Sequence, residues 1–244
     1  MALLSERLLA IAKMITPGVP VADIGCDHAY LSIYLIRESV APYVIGCDVN
    51  AGPIIIAKEN VADAGLSERI DLRQGDGLSC IEKGEVKSVV LAGMGGKLMI
   101  RILMEGEEVL NDVSEIILEP QSDVSAVRHF LEDNGFRIIS ENMICEEDKF
   151  YPIIKAVHGE MKLEEEVYYR YGKVLLREEN PALHEFLIKE HSYLEELLEE
   201  LSENAKAAHV VNRIEEVKKA VLINEEAKNM LNKPGLFEEP REIM

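Results

Sequence analysis

The stretch VADIGCDHAYLSIYL, Val21 to Leu35, constrains the fold more than any other part of the chain. It reads as a strand (Val19–Ile24), a tight turn and the start of a helix (Leu31–Ser39) that ends near Pro42. A strand that turns directly into a helix is the repeating unit of a parallel sheet, because parallel neighbours need a crossover connection. The same alternation follows. Tyr43–Asp48 is a second strand and Ile54–Ala64 a second helix, closed by Gly65. Ile70–Gln74 and Val86–Ala92 are the next strands, Leu98–Glu105 a helix, EIILEP a fifth strand, and Val124–Asn134 a helix closed by Gly135. FRIISENMICEED and KFYPIIKAVHG then read as two successive strands, a hairpin. The expectation is an α/β, Rossmann-like, doubly wound sheet with a hairpin at its edge, over residues 1–160.

The pattern changes after Gly159. Leu163, Val167, Tyr171 and Val174 keep helical spacing. Asn180-Pro181 is an N-cap followed by proline at the first helical position. Leu183, Leu187, Leu194, Leu197 and Leu201 form one apolar stripe, and Val210, Ile214, Val217 and Val221 another. SENAKAA lies between them as a turn, and Pro234-Gly235 ends the second helix. Residues 161–244 are therefore expected to form a coiled-coil-like helical hairpin with a short leading helix, a shape that closes on itself or pairs with a second copy.

Nearly half of the 244 residues are hydrophobic, enough for a sizeable core. The apolar N-terminus is interrupted by Arg7 and Lys13, and Leu4, Leu8, Ile11 and Ile15 share one helical face, so it reads as a packing helix and not a signal peptide. No apolar run reaches membrane-spanning length. Cys26, Cys47, Cys80 and Cys145 form no CxxC pair and are read as reduced thiols of a cytoplasmic protein. The six histidines have no metal-ligand spacing, so no metal is expected. The net charge of -19 excludes a generally basic surface, and any nucleic-acid contact must be local.

Ligands of open α/β sheets bind at the carboxyl ends of the strands. Here those ends carry ADIGCDHAY, GCDVN, RQGDGL and LAGMGG. Asp48, 23 residues after Gly25, is placed to accept both hydrogen bonds of a ribose diol. That suits a nicotinamide dinucleotide and S-adenosylmethionine (AdoMet) equally. The first turn separates them: a pyrophosphate on the helix N-terminus is repelled by a carboxylate at Asp27. AdoMet has no phosphate and brings a sulfonium and an ammonium, both cationic, which Asp23 and Asp27 favour. Asp76 can accept from the adenine amino group. Each residue also has an ordinary structural role: Asp27 as an N-cap, Asp48 and Asp76 as turn residues, His28 as a packed histidine. Their joint placement at the ends of consecutive strands is what points to a site.

VADIGCDHAYLSIYL, LAGMGGKLM and EEDKFYPII together resemble the bacterial tRNA adenine-22 N1-methyltransferase family, from the first helix to about Gly159, and the helical tail resembles that family's C-terminal domain. The resemblance implies a class I methyltransferase with a seven-stranded sheet, AdoMet as donor and N1 of a tRNA adenine as acceptor. It assigns Asp23, Gly25, Cys26, Asp27 and His28 to the first AdoMet loop. Asp48 and Val49 go to the ribose, Asp76 and Gly77 to the adenine side, and Gly93-Met94-Gly95-Gly96 to the wall between cofactor and target base, with Ala92 before it also cofactor-binding. The Asn/Asp-Pro-Pro-Tyr-type motif of amino-methylating enzymes is missing at that wall. Many relatives read Gln-Pro-Asn where this chain has Glu119-Pro120-Gln121.

N1 attacks with its own lone pair, and the product adenine is cationic, so a nearby carboxylate stabilises charge that develops in the transition state. Asp27 is the catalytic candidate for that role, with His28 as an orienting group or proton acceptor from N6. Tyr30 and Tyr151 are candidate stacking platforms, and Lys206, Arg213, Lys218, Lys219 and Lys228 candidate phosphate contacts. The alternatives are a class I methyltransferase with another RNA, protein or small-molecule substrate, an NAD-dependent oxidoreductase, and a non-catalytic AdoMet-binding protein whose hairpin recruits a partner.

Overall fold

A computed structural model describes residues 4–203 and 208–232. The chain divides into two compact units, residues 1–162 and 163–244. In the first, seven strands form one sheet: β1 (Val21–Ile24), β2 (Val44–Asp48), β3 (Ile70–Gln74), β4 (Ser88–Gly95), β5 (Glu115–Ser122), β6 (Phe136–Glu146) and β7 (Lys149–His158). Their order is β3-β2-β1-β4-β5-β7-β6. The first five are mutually parallel, and β7 runs antiparallel to both β5 and β6. β1 and β4 are neighbours in the sheet although they are far apart in sequence. The order therefore reverses between them, and a crevice opens at their carboxyl ends.

The central strands are apolar along their length because both sheet faces are covered. On one face α1 (Glu6–Met14), α2 (Tyr30–Arg37) and α3 (Ala51–Asp63) bury Ile11, Leu35 and Val61 against Val21, Val44 and Val90. On the other, α4 (Gly96–Glu105) and α6 (Val124–Asp133) bury Met99, Leu103 and Leu131 against Ala22, Ile45 and Leu91. A four-residue helix, α5 (Glu107–Leu110), follows α4. The alternation of Val21 and Ala22 between the two cores is the two-residue period of a strand. α1 is tied down at its end by Lys155, whose Nζ donates to Met14 O (2.8 Å) and pairs with Glu115 (2.7 Å). Burial alone would raise the Glu115 carboxyl, but Lys155 and Thr16 hold it below its ordinary value.

Several local expectations are corrected. Asp27 does not cap α2. The cap position is Ala29, left-handed at φ 60°, with no side-chain hydrogen bond. β4 runs three residues past Ala92, with bulges at Met94 and Gly95. Residues 77–80 form a turn of 3-10 helix that apolar spacing could not reveal. Cys47 and Cys80 are joined by a disulfide, contrary to the reading of four reduced thiols. Thirty-three residues separate them, and only the packing of the 3-10 turn on β2 brings them together. Cys26 and Cys145 are free. Protein unfolded without reductant should therefore titrate two thiols, rising to four after reduction. Four at the outset would contradict the bridge.

The second unit contains α7 (Glu166–Tyr171), α8 (Lys173–Arg177), α9 (Pro181–Glu203) and α10 (Ala208–Leu231). The expected single leading helix is broken at Gly172, whose φ of 93° no helix accommodates. Asn180 does cap α9: its Oδ1 accepts from Ala182 N (3.0 Å) and Leu183 N (3.1 Å). α9 and α10 pack on each other, and Leu183, Leu187 and Leu194 of α9 and Ile214 and Val217 of α10 are buried. The buried Asn224 donates across the pair to Leu187 O (3.1 Å) and Glu190 (3.0 Å). Most of the expected SENAKAA turn, and Pro234-Gly235, lie outside the described residues.

Candidate active site

The site grows from the end of β1. Gly25 N and Cys26 N both donate to Cys47 O (2.7 and 2.9 Å), which folds the chain back over β2. Gly25 has φ 76°, a conformation that favours glycine, and a Cβ there would stand 2.5 Å from the Met94 Cε methyl, which would have to move. Asp27 and Ala29 are also left-handed, at φ 48° and 60°. Aspartate tolerates that region better than most residues, and the conformation leaves its side chain two-thirds exposed. His28 Nε2 lies 3.5 Å from Asp27 Oδ1.

Asp23 is buried, and Ser32 Oγ donates to its Oδ2 at 2.6 Å. Burial pushes its carboxyl up to about 6, against the opposing hydrogen bonds from Ser32. Burial, followed by the neighbouring charges of Asp23 and Asp48, also pushes the Cys26 thiol well above its ordinary value. Cys26 is therefore a neutral packing group and not a nucleophile.

A cavity of about 290 Å³ opens here. Its walls include Asp23, Gly25, Cys26, Asp27, His28, Ala92 and Gly93, which brings together two distant segments named from the sequence. Tyr30 is half-exposed on the same wall. Sequence reasoning missed four more lining residues, Arg7, Leu8, Leu31 and Gln121. The only signal for Arg7 was a cation interrupting an apolar helix. Met94 and Gly95 do not line this cavity. Met94 covers Gly25, and Gly95 leads into α4.

The remaining assigned residues follow the ends of β2 and β3. Asp48 Oδ1 accepts from Asn50 N (2.8 Å), so Asp48 does shape a turn, while its Oδ2 has no donor among the described residues. Val49 is exposed, and its carbonyl accepts from Gln74 Nε2 (3.2 Å). Asp76 is paired with Arg101 through both oxygens (3.0 and 3.1 Å), and these hydrogen bonds hold it below the usual carboxylate range. Gly77 has φ 58° and packs over Ile102.

This donor set fits AdoMet. The turn has glycine only where the backbone folds sharply, and carboxylates stand where a phosphate would otherwise lie. Asp23 is a buried acceptor whose ionised form needs a cationic partner. No group of three His, Cys, Asp or Glu side chains that could hold a metal occurs among the described residues, and no described helix is long and apolar enough to cross a membrane. Of the basic residues on α10, Arg213 pairs with Glu216 (2.8 Å) and Lys218 with Glu215 (3.1 Å), and Lys206 lies outside the described residues.

Residues 21–226 match the family model TrmK, tRNA (adenine(22)-N(1))-methyltransferase. The tRNA (adenine(22)-N(1))-methyltransferase of Bacillus subtilis is 38% identical over 157 residues, 64% of this chain and 66% of that protein. The crystal structure of the B. subtilis m1A22 tRNA methyltransferase TrmK superposes with TM-score 0.85 at 30% identity, over 93% of this chain and all of the other. Streptococcus pneumoniae Sp1610 in complex with S-adenosyl-L-methionine superposes with TM-score 0.84 at 33% identity, again over 93% of this chain and all of the other. With its AdoMet-type crevice and a family match that runs through both units, the chain belongs to the tRNA (adenine(22)-N(1))-methyltransferase family.

Proposed function

We propose that this protein methylates N1 of adenine 22 in tRNA in the cytoplasm, with AdoMet as donor, and that Asp27 and His28 act on the target base. The observation that carries the reading is the first turn. It sets Asp27 and His28 on the wall of a cavity that Asp23 and Gly25 also line. Asp23 would hold the cationic end of AdoMet, Asp48 the ribose and Asp76 with Gly77 the adenine side. When bound, AdoMet supplies an electrophilic methyl on a sulfonium.

The chain's own residues then have three tasks. The wall formed by Ala92 and Gly93 sets the depth to which a base enters. Asp27, exposed and adjacent to His28, places negative charge where the adenine ring becomes cationic. His28 orients the N6 edge or takes a proton from it. Alignment in such a pocket supplies much of the rate, on the order of 7–11 kcal/mol for well-oriented reactants.

The reading is tested by methyl transfer to two unmodified tRNA transcripts that differ only at position 22. The adenine-22 transcript should take up one methyl group and the guanine-22 transcript none. Equal labelling of both would remove the assigned acceptor.

The ionisation of Asp23 gives a second expectation. AdoMet brings an ammonium that favours the ionised carboxylate, so its affinity should fall as pH drops through about 6, approaching tenfold per pH unit. The ligand-free protein should respond with the opposite sign. Its folded-state pKa is raised, so from this group alone stability grows as pH falls from about 6 toward the unfolded value near 3.8. Calorimetric titration between pH 5 and pH 8 (roughly the span around that value) checks the first. A flat affinity would take Asp23 out of the cofactor site.

A further inference from the structure

Glu119 stands on β5 opposite Ala92 of β4, completely buried, and is absent from the cavity wall. Its Oε2 accepts two hydrogen bonds, from Arg7 Nη1 (2.7 Å) and from Gly93 N (2.7 Å). Its Oε1 is buried with no hydrogen-bond partner among the described residues. Arg7 and Gly93 both line the cavity. Gly93 has φ 76°, and a Cβ on it would lie 3.4 Å from Arg7 Nη1, so these two walls touch. The Arg7 guanidinium also lies over the Tyr151 ring, 5.5 Å from its centroid.

A buried carboxylate at this place is not needed for packing alone. Both protein hydrogen bonds fall on one oxygen, which a glutamine amide would supply as well. What glutamate adds is charge, and the charge faces a guanidinium. The cavity is otherwise acidic, with Asp23 and Asp27 in its walls, and Arg7 is the one permanent cation among the described residues that line it. RNA brings a phosphate with every nucleotide, so an anionic backbone approaching this cavity finds its one counter-charge at Arg7. The guanidinium carries five N–H donors, and only the Nη1 contact is used by Glu119.

We propose that Glu119 is a positioning residue: it fixes the Arg7 guanidinium and the Gly93 N–H at the cavity, so that Arg7 meets a phosphate of the entering nucleotide in a set orientation. Burial raises the Glu119 carboxyl above its ordinary value despite Arg7, so the arrangement is strongest when Glu119 is ionised and weakens in acid. The inference rests on the RNA substrate proposed above.

The test uses the full chain with unmodified tRNA transcript and AdoMet, comparing wild type, Glu119→Gln, Arg7→Gln and the double variant. Glu119→Gln keeps an acceptor for Gly93 N–H but loses the charge that holds Arg7. Its KM for tRNA should rise about tenfold, the loss of one charge-assisted contact, while AdoMet affinity and kcat stay within about twofold. Arg7→Gln should raise KM similarly, and the double variant should be no worse than Arg7→Gln, because the two residues act as one unit. The acid limb of kcat/KM in wild type should flatten in Glu119→Gln. Additive effects, an unchanged KM, or parallel losses of AdoMet affinity and thermal stability would each overturn the proposal. Absence of methyl transfer by wild type itself would instead fail the functional reading on which it stands.

Discussion

Replacing Asp27 by asparagine should lower kcat for tRNA methylation by at least about a hundredfold, the usual cost of removing one electrostatic stabiliser from a transition state. The fold should be unaffected. Asp27 is at φ 48°, a left-handed conformation in which asparagine is as much at ease as aspartate. Its side chain is two-thirds exposed and caps no helix, so little packing is lost. Asn is a cleaner substitution than Ala here, because Ala at a positive φ adds backbone strain of its own. Asn also keeps the size and one oxygen of the side chain and removes only the charge. Steady-state kinetics together with a thermal melt separate the effects. A variant with wild-type kcat would take Asp27 out of the mechanism. A variant with a strongly lowered melting temperature would mean that the turn, and not the charge, was being tested.

The largest effect on stability is expected far from the site, at Arg128→Met. Arg128 on α6 and Glu141 on β6 form an ion pair of 2.8 Å with both side chains 1% exposed. Removing one partner of a buried pair strands the other charge in a medium that solvates it poorly. Such losses cost about 3–5 kcal/mol. For a unit of this size that corresponds to a fall in melting temperature of roughly 10 °C. The joint variant Arg128→Met/Glu141→Leu should recover much of the loss, since it leaves no charge behind. Calorimetric melts of the three proteins decide this. A single variant as stable as wild type would mean that the pair contributes no net stability.

The order and type of the sheet elements were legible because buried parallel strands and their covering helices write their periods directly into the apolar pattern. Ile70–Gln74 was placed at its observed bounds, and Gly65 and Gly135 marked helix ends that the structure confirms as left-handed positions. Turn chemistry was harder to read. Glu147 and Asp148 make a two-residue hairpin turn with both φ values positive, where glycine or asparagine is the usual signal. The break at Gly172 was lost inside an apolar spacing that continues through it.

The cavity was half legible. Residues at strand ends follow from topology alone, which is how Asp23, Asp27, His28 and Gly93 were found. Gln121, at the end of the fifth strand, was open to the same reasoning, but Arg7 was not, since Arg7 reaches the cavity only through the docking of α1 on β5, β6 and β7. The Cys47–Cys80 bridge is of the same kind, a pairing created by packing and invisible in spacing.

The reaction turns on one acceptor atom. The end of β4 reads Gly93-Met94-Gly95 in place of a motif that grips an exocyclic amine, and Asp27 offers charge to a ring that becomes cationic. The most direct measurement is therefore nucleoside analysis of a tRNA transcript methylated by this protein, with the modified residue mapped by digestion and mass spectrometry. The account predicts a single 1-methyladenosine, at position 22. An N6-methyl or ring-carbon product at that adenine, or a methylated base elsewhere, would contradict it.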